Sequence, residues 1–546
     1  MRFPCHASGG SMKPEPHISN EPPQGAADEV RRAGPIGKVL LLSRLLGLFR
    51  DMTLTAMLGS TATAEALRAA LRIPVMLRDM ISEGTLSASF SPAYREQQQS
   101  QNPEAALLFS RAALSSLLLL LGVTLTLLAW NAEAVMTLIF PGLELHEEAV
   151  ENFRRLLPYL ALVPLMAVLK GILHCHRKDA SALFPQALQN AALICAGLLL
   201  VTSQVSESER AQGWTVAFLA GSGVGLVWLI IHLLKVTRFP WPTFHWKVPG
   251  QRRFLLDFGT LLASQILLQA YSLLAFHLAS ELPTGSITWL ETAFRFHFFP
   301  VALVGVSLGI VAGDESADLA SRGEHQRLAQ MLTRNQRLAA FLGFLAGAGL
   351  LATSTSIIDT LFVRGEFSLE DGLKTADILW WYCFAVPFGC MNIGLQRTAI
   401  AIGLRKKVML ISLIGLGLQV GLLFGQVLPM NTRTIALAYV ASTVLSWIFL
   451  KWVLHKNLDL PRPRIVAGLK LLILGILVHQ TAFHSIRYLD EYLPQFLGRD
   501  LSILGFSIVT GIFLALVVGQ RLRMKEAQDM WIVIKPWTVK RSDQAR

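Results

Sequence analysis

The sequence predicts an all-α integral membrane protein with fourteen transmembrane helices, and three observations carry that prediction. Only 16% of the 546 residues are charged and 53% are hydrophobic, whereas about a quarter of a soluble domain is charged. Apolar runs of about 20 residues, the length of helix that crosses a bilayer, recur from about residue 34 to 520. The connecting loops alternate in basic character along the chain.

The fourteen apolar segments lie near 34–58, 64–93, 107–130, 152–173, 183–203, 212–234, 254–280, 285–312, 337–362, 374–401, 408–426, 433–452, 465–484 and 500–519. Their length suits helices and not the ~10-residue alternating strands of outer-membrane barrels. Lys235, Arg238, Lys247, Arg252 and Arg253 follow the sixth segment, and Arg322, Arg327, Arg334 and Arg337 follow the eighth. Arg405, Lys406 and Lys407 follow the tenth; Lys456, Arg462 and Arg464 follow the twelfth. The loop 131–151 holds Glu133, Glu144, Glu147 and Glu148 and no Lys or Arg. Positive-inside bias then places both termini in the cytoplasm and the 131–151 loop outside. The formal charge of +12 is thereby explained by orientation in the membrane, with no nucleic acid as partner.

Residues 1–33 are polar and lack the apolar core of a signal peptide, so the sequence predicts a disordered cytoplasmic tail there. Residues 520–546 form a basic cytoplasmic tail, in which Arg521 to Trp537 has the pattern of an amphipathic surface helix. The five cysteines show no disulfide framework. His174-Cys175-His176 lacks further ligands to complete a metal site and reads as a polar loop. No P-loop, HExxH or paired acidic motif is present, which excludes the common ATPase, metallopeptidase and Mg-dependent transferase chemistries. The chain is not expected to be an enzyme or to carry a cofactor, which leaves an ion gradient or the membrane potential as its source of work.

Three spans carry charge where lipid is expected. The first holds Arg44, Arg50 and Asp51; the second holds Arg68, Arg72, Arg78, Asp79 and Glu83; the eighth holds Arg295. A charge at bilayer depth costs about 2.5–3.5 kcal/mol on insertion scales, so such groups face protein or a water-filled cavity. Arg68 fits a snorkelling position near the outer end of its span. Arg50 with Asp51, and Arg78 with Asp79 and Glu83, are compatible with structural pairs. The excess of cations argues for a site that receives a polyanion, because guanidinium groups clamp phosphate oxygens in pairs. Pro74 kinks the second span, as in the broken helices of transporters.

These residues also carry a family resemblance. Ser43 to Asp51 reads SRLLGLFRD, and Pro74 to Pro92 reads P-x-x-L-R-x-x-x-x-E-G-x-x-S-x-x-F-x-P. Both strings resemble the first two helices of the MurJ (MviN) lipid II flippase family. Gly285 to Pro300 and Val363 to Ser368 are similar to that family's eighth helix and to its loop between helices nine and ten. The resemblance implies the fold of the MOP exporter superfamily, with fourteen helices in two pseudo-symmetric lobes around a central cationic cavity. The lobes would be 34–234 (helices 1–6) and 254–452 (helices 7–12), and 465–519 (helices 13–14) would form a groove for a lipid tail. By the same resemblance Arg44, Arg50, Arg78 and Arg295 would bind a diphosphate head group. Ser43, Asp51, Glu65 and Glu83 would line or gate the cavity. Glu65 stands where the family usually has Asp. Phe294 and Phe298 stand where it often has acids beside the eighth-helix arginine.

The function implied is flipping of an undecaprenyl-diphosphate-linked peptidoglycan precursor, lipid II, in the cytoplasmic (inner) membrane. The expected partners are that lipid, the surrounding membrane lipids and a cell-wall synthesis complex. Two alternatives stay open: flipping of another lipid-linked oligosaccharide, and a non-transporting scaffold of the cell-wall machinery. Asp257 and Asn392 are polar groups near or within spans that suit either a coupling cation or ordinary interhelical bonds.

Overall fold

The computed structural model describes residues 24–82, 85–100, 102, 104–243, 248–425, 429–458, 460, 465–494 and 498–528. Every regular element among them is helical. In chain order these are α1 (Gln24–Leu58), α2 (Ala62–Ser82), α3 (Thr85–Gln98), α4 (Ala105–Trp130), α5 (Ala132–Ile139), α6 (His146–Cys175), α7 (Asp179–Leu183), α8 (Pro185–Thr202) and α9 (Glu207–Leu234). The second half holds α10 (Gln251–Ser280), α11 (Ser286–Pro300), α12 (Ser307–Ser321), α13 (His325–Phe362), α14 (Leu369–Cys383), α15 (Val386–Ala401), α16 (Arg405–Phe424), α17 (Thr432–Leu458), α18 (Ile465–Tyr492) and α19 (Arg499–Arg521).

Each apolar segment read from the sequence falls on one of these helices or on a consecutive pair. Among the described residues ten helices are long and apolar enough to cross a membrane, or eleven if the bent pair α14 and α15, at 48°, is one span. Helices α1, α2 with α3, and α10 cover the other three segments. The first two are the segments interrupted by charge.

Local chemistry sets several boundaries. Ser206 and Glu209 form a reciprocal capping box at the start of α9, and Ser368 and Asp371 form another at α14, each satisfying N–H groups that a helix start leaves unpaired. Pro185 opens α8, where its missing N–H costs nothing. In the second span α2 runs through Pro74 to Ser82, and α3 follows from Thr85. The eighth span is continuous from Ser286 to Ser321, with a π-helical stretch at Val301–Val306 directly after Pro300. The missing N–H of a proline permits that kind of widened turn. The predicted 1–33 tail differs. Residues 1–23 lie outside the described residues, but 24–33 are already part of α1. The predicted 521–537 amphipathic helix lies mostly outside them.

Helices α1, α2, α4, α6, α8 and α9 pack on one another, and α11 to α17 form a second set of mutual contacts. Helix α10 touches α2, α3 and α4 on one side and α11, α16 and α17 on the other. Helices α18 and α19 pack on each other and on α13. The largest apolar cluster runs from Met52 on α1 to Ala438 on α17 and so spans both sets. Small residues permit the closest approaches. A Cβ on Gly343 of α13 would lie 2.8 Å from the Cα of Pro387 on α15, the backbone proximity that glycine supplies between membrane helices. Large apolar side chains such as Leu127, Leu199, Ile476 and Phe513 point outward, as they do on a surface that faces lipid.

Candidate functional site

The two helix sets enclose a cavity of about 1340 Å³, above the ~300–1,000 Å³ of an ordinary small-molecule pocket. Its wall includes α1, α2, α10, α11, α13 to α19 and the π-helical stretch. The charged lining is four arginines, Arg44, Arg50, Arg72 and Arg295, and three carboxylates, Asp51, Asp79 and Glu291. Val478, Ala482, Leu504, Ser507 and Gly511 extend the same space onto α18 and α19.

The charges form a connected network. Asp51 accepts from Arg50 Nε at 2.9 Å and Nη2 at 2.7 Å, and from Arg295 of α11 with its other oxygen. Arg50 also donates to Asn190 of α8 at 3.1 Å, and Asn190 donates to the carbonyl of Ser43 at 3.1 Å. Arg295 donates to Glu291, one turn earlier on α11, at 2.7 Å. The other oxygen of Glu291 takes Arg68 of α2 at 2.8 Å. Arg78 binds Asp79 at 2.6 Å and reaches Gln186 of α8 at 3.3 Å. Arg72 lies 4.4 Å over the Phe276 ring and donates to Ser272. Among the described residues neither Arg44 nor Arg72 has a carboxylate within ion-pair distance, although Glu291 and Asp79 of the same cavity lie near enough to act on Arg72 electrostatically.

One end of the cavity is sealed by contacts between the two helix sets. The turn after α1 and the turn after α13 interlock through two glycines in the left-handed region, Gly59 (φ +60°) and Gly365 (φ +59°). The amide of Glu366 donates to the carbonyl of Ala56 at 3.0 Å. Arg210 donates to the carbonyl of Met57 at 3.2 Å and to Glu366 at 3.3 Å. Ser60 donates to Asp371, which also accepts Trp289 Nε1 at 2.9 Å. Glu65 accepts the amide of Ile287 at 2.7 Å, placing a carboxylate at the positive end of α11.

Of the residues expected from the sequence, Arg44, Arg50, Asp51 and Arg295 line the cavity. Ser43 contributes its backbone carbonyl behind Arg50, and Glu65 belongs to the sealed end. Arg78 turns toward α8, and its partner Asp79 is the group that lines the cavity. Glu83 lies outside the described residues. Asp257 is an exposed residue near Arg253. Asn392 lines the cavity and donates to the carbonyl of Thr443 at 3.0 Å. The snorkelling position expected for Arg68 is corrected: only 5% of it is exposed, and it bonds Glu291 and Thr55. The half-buried carboxylate of Glu291 on α11 holds it inward. Sequence reasoning missed Glu291 and Asn190 as partners. The signal for Glu291 was its i, i+4 spacing to Arg295; for Asn190 there was none.

Fold and site together define a multi-pass membrane protein built around an internal arginine-lined cavity that is sealed at one end. Residues 54–498 match the family described as lipid II flippase MurJ, and the chain belongs to that family. The probable lipid II flippase MurJ of Rickettsia prowazekii (strain Madrid E) is 25% identical over 86% of this chain and 93% of its own length. Among solved structures, lipid II flippase MurJ in an inward closed conformation superposes with a TM-score of 0.74 at 22% identity, covering 89% of this chain and 99% of that one. An inward-facing MATE family transporter of the MOP superfamily superposes at 0.59 and 16% identity, over 75% of this chain and 93% of its own. These likenesses establish the fold.

Proposed function

We propose that this chain moves lipid II, the undecaprenyl-diphosphate-linked peptidoglycan precursor, from the cytoplasmic to the outer leaflet by alternating access. The observation that carries the reading is the cavity itself: arginines from three helices converge at membrane depth in a chain of this family. Arg44 and Arg72 would meet the diphosphate first, since among the described residues no carboxylate is in direct contact with them. Arg50 and Arg295 would exchange Asp51 for phosphate oxygens, a bidentate match that guanidinium favours. The cavity's extension onto α18 and α19 supports a path for the polyprenyl tail beside the head group.

Basic loops following even-numbered spans support cytoplasmic termini in the inner membrane. The sealed end, which includes the turns after α1 and α13, then faces outward and the cavity serves the cytoplasmic leaflet. Helices 1–6 and 7–12 act as the two moving lobes in this reading, and an ion gradient or the membrane potential drives the cycle. A cell-wall synthesis complex is the expected neighbour that uses the product. Complementation of a bacterium depleted of its own lipid II flippase tests the reading. Growth restored by the wild-type chain and lost in Arg295→Ala at equal membrane abundance is expected. Failure of the wild-type chain at normal abundance would favour a scaffold role.

A further inference from the structure

Arg295 is the cavity arginine whose surroundings depart most from the sequence expectation, because Phe294 and Phe298 occupy the positions where acids were expected. Its carboxylate comes instead from Glu291, and that carboxylate does two things at once. Oε1 accepts Arg295 Nη2 at 2.7 Å within α11. Oε2 accepts Arg68 Nη1 at 2.8 Å from α2, on the opposite helix set. Arg68 is almost fully buried and has Thr55 of α1 as its other partner, at 3.2 Å. The Thr55 hydroxyl in turn donates to the carbonyl of Asp51 at 2.8 Å, whose side chain holds the far amino group of Arg295.

We propose that Glu291 is a positioning residue for Arg295 and, through Arg68, the charged bolt between the two helix sets below the sealed end. The proposal rests on the cavity being the anion site described above. The physics follows from the two oxygens. With Glu291 holding Nη2, Arg295 keeps its orientation while Nη1 exchanges Asp51 for an anion oxygen. A buried cation such as Arg68 is costly once its acid is gone, so α2 and α11 separate only when Arg68 finds other partners. The bond to Arg68 therefore belongs to the sealed state. The bond to Arg295 lies within one helix and persists when the sets part.

Two measurements separate these roles. The first is the labelling rate of a single cysteine, Thr288→Cys, by a membrane-impermeant maleimide added outside to cells expressing an otherwise cysteine-free chain. Thr288 is fully buried beside the sealed end, and its hydroxyl has no partner. Arg68→Met and Glu291→Gln should each speed labelling by about tenfold, and the double variant should be no faster than either, as expected for residues that act as a pair. Unchanged rates, or fully additive effects, would overturn the bolt.

The second measurement is complementation. Glu291→Gln should fail at normal membrane abundance, and Glu291→Gln with Phe298→Glu should regain growth, because position 298 lies one turn beyond Arg295 on the same cavity wall. The restored acid is not expected to slow labelling to the wild-type rate, since it is a new group on the Arg295 side. Normal growth of Glu291→Gln, or no rescue at equal abundance, would overturn the positioning role. Normal growth of Arg295→Ala would instead sink the anion-site reading and leave the labelling result standing.

Discussion

Replacing Gly365 by alanine should unlock the sealed end, and the structure supplies the size of the effect. A Cβ built on Gly365 would sit 2.2 Å from the carbonyl oxygen of Ala56 and 3.1 Å from its carbon, where real Cβ atoms do not approach. The obstacle is backbone on the other helix set, held by the bond from the amide of Glu366, so a side-chain rotation cannot relieve it. Gly365 also has φ +59°, which costs an L-residue about 1–2 kcal/mol. That strain stays with the turn when the sets part, so it cancels between the sealed and open states. The overlap does not cancel: it exists only when the turns meet. Overpacking of this kind costs about 1–3 kcal/mol, which shifts a two-state equilibrium by roughly 5- to 150-fold toward the open end. The labelling rate of Thr288→Cys from outside should rise by that order in Gly365→Ala. Gly59→Ala, whose Cβ would meet the carbonyl of Glu366 at 2.3 Å, should behave alike. An unchanged rate in both variants, with normal abundance, would refute the interlock.

Other expectations are more direct. Arg72→Ala should weaken complementation, and Arg72→Lys should retain part of it, since a lysine keeps the charge and the contact over Phe276 but loses the fork; normal growth of both would remove Arg72 from the site. Arg50→Lys and Arg295→Lys should each impair transport less than the alanine changes, read as growth at matched membrane levels. Single cysteines at Glu147 and Arg238 should label from outside and from the cytoplasm respectively, and equal outside labelling would contradict the proposed orientation. A chain ending at residue 464, without α18 and α19, should insert but fail to complement if those helices hold the lipid tail; full growth would leave them as passive lipid-facing helices.

Much of the fold was legible because a membrane helix announces itself by length and apolarity, and ten described helices, or eleven with the bent pair α14 and α15 as one span, meet that test. The site was legible only in part. Arg50, Asp51 and Arg295 stood out because charge is rare at such depth, and the structure brings them together. Arg68 was misplaced because hydropathy gives depth but not direction: the partner that turns it inward, Glu291, is 223 residues away. Arg78 was expected to bind the head group, and its guanidinium bonds Asp79 and Gln186 of α8. The glycine interlock was invisible because neither Gly59 nor Gly365 has meaning until the two turns meet. Phe294 and Phe298 stand where the family often has acids beside the eighth-helix arginine, and in this chain Glu291, one turn before Arg295, supplies a carboxylate instead.

The central claim is transport of lipid II through the arginine-lined cavity, and the appearance of that lipid in the outer leaflet tests it most directly. Cells whose own flippase is depleted would carry either the wild-type chain or Arg295→Ala at matched abundance. Outer-leaflet lipid II would then be read with a cell-impermeant reagent that cleaves it. The account predicts cleavage product with the wild-type chain and loss of most of it with Arg295→Ala. Equal product from both chains would contradict the account, as would none above the depleted background from the wild type.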